Sequence, residues 1–201
     1  MYKHFTNMLK NKSNIHNNYN EAKYPGPCAA FLSGEEIHYK TIEKILNFSD
    51  DQLEDEHSYI QYVFPLQEKS MYNPKAPVLT NEEIEWIKSK DGERARMNLR
   101  VMYSRMMSFY GFEYSASPEK IYLKPSILFD KKSKVWLTPN NHNYKRITRI
   151  LKCLMLCGMD VYAKEFFNVL AKVYKENEDI IGKVTFGYWK NAIGCSDSSL
   201  I

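Results

Sequence analysis

Lys145, Arg149 and Lys152 repeat at i, i+4 and i+7, with Arg146 beside them, so a helix through this stretch carries a row of cations. Between Lys131 and Lys152 the chain holds seven lysines and arginines and no acidic residue, a local charge of +7 in a protein whose net charge is +4. A row of this kind attracts phosphate, nucleic acid or an acidic partner. The competing reading is a solvated helix face that pairs with the acidic stretch Asp50-Asp51-Gln52-Leu53-Glu54-Asp55-Glu56, within the fold or across a dimer. Sustained nucleic-acid binding goes with a pI above 8.7 and with aromatics interleaved for stacking, and only Tyr144 and Trp136 stand nearby. The paired face is therefore the expectation, with nucleic acid or phosphate as the second candidate partner.

His57 lies among Asp55, Glu56 and Ser58, the residue types of a nucleophilic triad. Sequence neighbours on a helix point in different directions, and no nucleophile elbow or glycine-rich oxyanion loop is visible. No catalytic residue is assigned, and the chain is expected not to be an enzyme; an enzyme of unrecognised type, with a titratable cluster around His57, is the remaining alternative. Cys153 and Cys157 stand one helical turn apart, with His142 upstream. A zinc site needs four ligands with recurrent close pairs, and the remaining candidates are scattered, so no metal is expected. The other cysteines, Cys28 and Cys195, do not bring the set to the density of a disulfide scaffold, which favours a reducing compartment. Phosphate-loop, dinucleotide, zinc-protease and EF-hand patterns are absent, and no cofactor is expected.

These residues need helices to position them. Ser33-Gly34-Glu35-Glu36 reads as a capping box before Ile37, Ile42, Ile45 and Leu46; Ser49-Asp50-Asp51-Gln52 repeats it before a helix carrying Leu53, Ile60 and Phe64 and ended by Pro65. After a two-proline connector at 71–77, Thr80-Asn81-Glu82-Glu83 caps a short third helix. From Glu93 to Tyr110, Ala95, Leu99, Met102, Met106 and Phe109 share one face; Gly111 is a left-handed stop, and Arg94, Arg100 and Arg105 face water. Residues 115–143 hold three prolines and predict irregular structure or a small hairpin. A fifth helix, with His142 and Asn143 as caps, runs to Gly158; Asp160 opens a sixth, and Lys183 to Ala192 makes a last one. The fold class predicted is all-α: a single compact domain of about six to seven helices with an irregular proline-containing insertion.

The longest uncharged apolar runs, such as Cys153 to Met159, fall far short of the roughly 20 residues of a membrane helix. Residues 1–20 are polar, unlike a signal peptide, and predict a disordered or weakly ordered arm. A soluble protein is the expectation. The chain holds 15 tyrosines, 10 phenylalanines and 9 methionines. These side chains form the core or, in part, line a groove for a short peptide.

Two blocks also carry a family resemblance. His57-Ser58-Tyr59-Ile60-Gln61-Tyr62-Val63-Phe64-Pro65-Leu66 and Asn141-His142-Asn143-Tyr144-Lys145-Arg146-Ile147-Thr148-Arg149-Ile150-Leu151-Lys152 resemble the signature blocks of the opioid growth factor receptor family. Thr80-Asn81-Glu82-Glu83-Ile84 and Met106-Met107-Ser108-Phe109-Tyr110-Gly111-Phe112 resemble its intervening helix start and helix end. The chain then divides into a leader at 1–30, the family's conserved region at 31–193 and a short tail at 194–201. Tyr62-Val63 stands where the family has tryptophan-leucine, and the long repetitive extension of vertebrate members has no counterpart.

The resemblance implies a non-enzymatic binding module for a peptide or protein ligand: methionine-enkephalin for vertebrate members, with growth regulation and a cytoplasmic or nuclear location. It transfers no contact residues. His57, Tyr59, Gln61, Phe64, Pro65, His142, Asn143 and Tyr144 are expected to be structural, and Lys145, Arg146, Arg149 and Lys152 to be the partner-binding basic face. The lysine, asparagine, isoleucine and tyrosine bias suits an AT-rich genome, so a microbial effector delivered into a host cell and acting on a host protein is a further alternative. Oligomeric state is not legible.

Overall fold

The computed structural model describes residues 19–116 and 121–195. Along them run α1 (Pro27–Leu32), α2 (Ile42–Leu46), α3 (Asp50–Asp55), α4 (Ile60–Val63), α5 (Asn81–Lys88) and α6 (Glu93–Tyr110). The hairpin β1 (Phe112–Ala116) and β2 (Ile121–Pro125) follows, then α7 (Phe129–Trp136), α8 (Asn143–Leu156), α9 (Asp160–Glu176), α10 (Glu178–Ile181) and α11 (Lys183–Ala192). The structure is thus mostly helical with one two-stranded sheet, which corrects the all-α expectation, and its eleven helices among the described residues exceed the six to seven expected.

Helix α6 is the core element, with the bounds its periodicity predicts. Ala95, Leu99, Met102 and Met106 are fully buried, and Gly111 closes the helix at φ 88°. Burying side chains of this size contributes about 1.5–3 kcal/mol each. Packed on α6 are α1, α5, α7 and β1, while α8 packs on α9 and α11. In the hairpin, Phe112 pairs with Pro125 and Ala116 with Ile121. The arginines of α6 are less free than expected: Arg105 reaches Asp50 Oδ1 at 2.9 Å and the Phe48 carbonyl at 2.7 Å, and Arg94 donates to the Ser33 carbonyl.

The Thr80 box forms as read, with Thr80 Oγ1 accepting from the Glu83 amide and the Glu83 carboxylate accepting from the Thr80 amide. Glu83 does more than the local pattern says. Its Oε1 also accepts from the amides of Cys28 and Ala29, 2.7 and 3.1 Å away, so one fully buried carboxylate caps both α5 and α1. Gly26 has to be glycine because a Cβ there would collide with that carboxylate.

Two expected starts move. Ser33 ends α1 rather than opening a helix; Gly34 follows at φ 106°, and α2 begins only after Thr41, whose Oγ1 accepts from the Lys44 amide. The region called leader is described from residue 19. Tyr24, Cys28, Ala29 and Ala30 are buried in the core, because α1 needs its own face covered; residues 1–18 and 196–201 lie outside the described residues.

Candidate functional site

The Ser49–Gln52 capping box forms, yet the helix stops at Asp55 instead of running to Phe64. In a continuing helix the carbonyls of Leu53 and Glu54 would accept from residues 57 and 58. Here Arg146 takes them. Its Nη1 donates to Leu53 O at 2.7 Å, and its Nη2 to Glu54 O at 3.0 Å and Glu56 O at 3.4 Å. Its guanidinium lies over the Tyr59 ring, and Glu54 Oε2 is 3.8 Å from Nη1. At 5% exposure Arg146 belongs to the interior, which corrects its place on the solvated basic face.

The bend created there turns the 57–66 block toward α8. His57 donates from Nδ1 to Asp55 O at 2.6 Å, and Ser58 N donates to Glu56 Oε1 at 2.8 Å. The imidazole of His57 lies 5.0 Å from that of His142, whose Nε2 is 3.4 Å from Glu54 Oε1. Burial first, then the Arg146 charge, hold the His142 pKa below its ordinary 6.5 against the pull of Glu54. His142 occupies the N-cap position of α8 without capping it; Asn141 Oδ1 accepts from the Asn143 amide instead, which corrects the expected cap.

Tyr59, Phe64, Asn143 and Tyr144 are buried: Tyr59 OH meets Met106 Sδ at 3.7 Å, and Asn143 donates to Glu54 Oε2 at 2.9 Å. Burial pushes the phenols of Tyr59 and Tyr144 up to about 12. Pro65 is buried as well, directly after the end of α4.

Along α8 the other three cations meet residues 64–72. Lys145 Nζ donates to Tyr72 OH at 2.9 Å, Arg149 Nη1 to Phe64 O at 3.1 Å, and Lys152 stands 3.4 Å from Glu68. Arg149 is half-buried, and that burial lowers its pKa. The two-proline connector carries this segment past α8, tied by Asn73 Nδ2 to Ser58 O and by Leu79 N to Leu66 O.

Between the two walls lies a cavity of about 330 Å³. One wall is His57, Ile60, Gln61, Leu66, Ser70 and Tyr72; the other is Asn140, Asn141, His142, Lys145, Arg146, Thr148, Arg149 and Lys152. The lining holds four cations, two histidines and no carboxylate. Gln61 is 6% exposed, and its Oε1 has no hydrogen-bond partner among the described residues. Ser70 and Tyr72 escaped the sequence reading because nothing local marks them; the connector's prolines were the one available signal.

Elsewhere the chemistry stays quiet. Cys153 and Cys157 are free, buried thiols with sulfurs 4.0 Å apart, and burial raises the Cys153 pKa well above its ordinary value. Among the described residues no group of three or more histidine, cysteine, aspartate or glutamate side chains is placed to hold a metal, and no helix is long and apolar enough to cross a membrane.

Fold and site together define a mostly helical domain with a cationic groove between α8 and the 57–72 segment. The family model of the opioid growth factor receptor conserved region matches residues 16–198, and the chain belongs to that family. It is 39% identical over 124 residues to the opioid growth factor receptor of Rattus norvegicus, covering 60% of this chain and 20% of the relative. With opioid growth factor receptor-like protein 1 of Xenopus tropicalis it shares 38% over 122 residues, covering 59% and 23%. With the protein of the same name in Mus musculus it shares 36% over 135 residues, covering 60% and 25%. The match therefore spans a quarter or less of each of these relatives. No solved structure matches the chain at a significant level.

Proposed function

We propose that this chain is a non-enzymatic binding module that takes a short peptide or an extended protein segment in the groove between α8 and residues 57–72. One observation carries the reading: the two sequence blocks that bear the family resemblance, 57–66 and 141–152, are far apart in the chain and line the same cavity. Its volume of about 330 Å³ lies at the lower end of the range of small-ligand sites, which suits a few residues of an extended chain. The named relatives are receptors or receptor-like proteins, and a ligand-binding role agrees with those names.

Nucleic acid fits this surface less well. Of the four cations in the row, Arg146 is spent on backbone carbonyls inside the fold, and Arg149 is half-buried. That leaves too short a track of exposed charge for backbone-phosphate binding. Among the described residues, the contacts of His57 are a backbone carbonyl at Nδ1 and the ring of His142, which does not favour catalysis there.

Isothermal titration with methionine-enkephalin, beside a scrambled peptide of the same composition, tests the receptor form of the proposal. Sequence-selective binding at micromolar affinity or better supports it, and equal heats from the two peptides reject that ligand. The wider form is tested by retention of a random hexapeptide library on the immobilised chain and on the Thr148→Trp variant, which places a larger side chain at a half-buried position of the groove wall. Retention lost in the variant supports the groove, and equal retention by both proteins rejects it.

A further inference from the structure

The cations of the groove are not equivalent. Arg146 has Glu54 beside it and Lys152 has Glu68, so each of these charges has a carboxylate partner. Among the described residues neither Lys145 nor Arg149 has a carboxylate within ion-pair distance, although the charge of Glu68 is felt at Arg149. Lys145 donates to the neutral phenol of Tyr72 and Arg149 to the neutral carbonyl of Phe64, and no carboxylate lines the cavity. They stand at i and i+4 on one face of α8, where like charges repel. A guanidinium has five N–H donors, and one of those on Arg149 is given a partner by the fold. Opposite them, Gln61 lines the same groove with a buried acceptor left unpaired, a state that natural folds rarely tolerate without a reason. Turning the amide about its last torsion exchanges acceptor and donor, which is the complement of a peptide group.

Resting on the peptide-binding reading, we propose that the groove selects peptides carrying an anionic group, a carboxylate or a phosphate, held between Lys145 and Arg149 while Gln61 pairs with the adjoining peptide unit. The anion supplies the charge that α8 lacks. It removes the repulsion between the two cations and uses those of their donors that have no partner among the described residues. Two features favour an acidic peptide over a free anion: the Gln61 Oε1 acceptor, unpaired among the described residues, which an isolated phosphate would leave unserved, and the apolar Ile60 and Leu66 in the same lining.

The test uses the full chain and acetylated, amidated hexapeptide libraries in three versions, with glutamine, glutamate or phosphoserine at one fixed position. Retention of the glutamate or phosphoserine version by about tenfold over the glutamine version, falling as salt rises, supports the proposal; this is the size of one charge-assisted hydrogen bond. The two acidic arms separate carboxylate from phosphate recognition. Lys145→Gln, an exposed position whose loss does not threaten folding, has to abolish most of that preference, and Arg149→Gln the rest. Equal retention of all three versions overturns the anion proposal while leaving peptide binding intact. Where no library is retained, inorganic phosphate titrated against the amide spectrum of the free chain decides. Shifts confined to α8 and Gln61 uphold the anion site without the peptide, and unmoved resonances overturn it.

Discussion

At Glu54 a cationic groove meets an acidic hollow lined by Asp50, Asp51, Glu54, Asp55, Phe109, Lys132 and Val135. In the hollow the charge is answered from within: Asp50 has Arg105 at 2.9 Å and Lys132 at 3.0 Å, one on each carboxylate oxygen. In the groove Lys145 and Arg149 rest on neutral oxygens. The contrast is between particular charges: that of Asp50 is neutralised within the fold, and those of Lys145 and Arg149 rest on neutral partners. Charge that the fold neutralises serves to hold elements together, and charge that it leaves unanswered is available to a ligand.

The sharpest way to break this contrast is at Arg146, which lines the groove yet behaves like the hollow's ion pairs. Arg146→Ala leaves the carbonyls of Leu53 and Glu54 without their donor, and denaturant unfolding is expected to show a loss of about 3–5 kcal/mol. A loss below about 1 kcal/mol would place Arg146 with the ligand-facing cations instead. Next, Asp50→Asn in the hollow removes the anion from two cations; the half-exposed site brings the expected loss down to about 1 kcal/mol. Lys145→Gln sharpens the comparison by changing sign, because relief of the i, i+4 repulsion is expected to stabilise the free protein by about 0.2–0.5 kcal/mol. Destabilisation by that substitution would mean that the Tyr72 contact is structural.

Acid titration distinguishes the regions without mutation. Burial alone would raise the Asp50 pKa, but hydrogen bonds from Lys132 and Arg105 outweigh it and hold the value below 3.8. A depressed folded pKa gives stability that is present above the unfolded value and lost as pH falls through the folded one, so the hollow weakens only below about pH 4. His142 also has a depressed pKa, from an ordinary value of 6.5, and the same sign rule applies at a higher pH. Its contribution is complete above 6.5 and is lost as pH falls below it. An anion in the groove opposes that loss by favouring the imidazolium, so binding is expected to take up a proton and to strengthen below pH 6.5. Carbon-bound proton shifts of the His142 ring, followed with and without ligand, check both statements; the Arg146, Glu54 and His57 groups facing it are the other titrating or charged members.

Local patterns were legible wherever the stabilising contact is itself local. The stripe of α6 with Gly111, the boxes at Ser49 and Thr80, and the last helix from Lys183 to Ala192 all depend on residues within a few positions of each other. The break between α3 and α4 was not, because the group that makes it, Arg146, stands about ninety residues further along. Ser33 misled for a related reason: Glu35 and Glu36 sit at the right spacing, but the chain before Ser33 is already helical and ends there. Spacing alone recovered the cation row. It gave no means of knowing that residues 64–72 cross α8 and divide its cations into paired and unpaired ones.

Glu83 stands 55 and 54 residues beyond Cys28 and Ala29, whose amides it caps, and so couples the starts of α1 and α5. When the first turn of α5 frays, α1 loses its cap as well, whereas the Thr80–Glu83 box of α5 survives fraying of α1. In hydrogen exchange, the amides of Cys28 and Ala29 should then report an opening free energy no higher than that of Thr80, and a groove ligand that touches neither helix should leave all three unchanged.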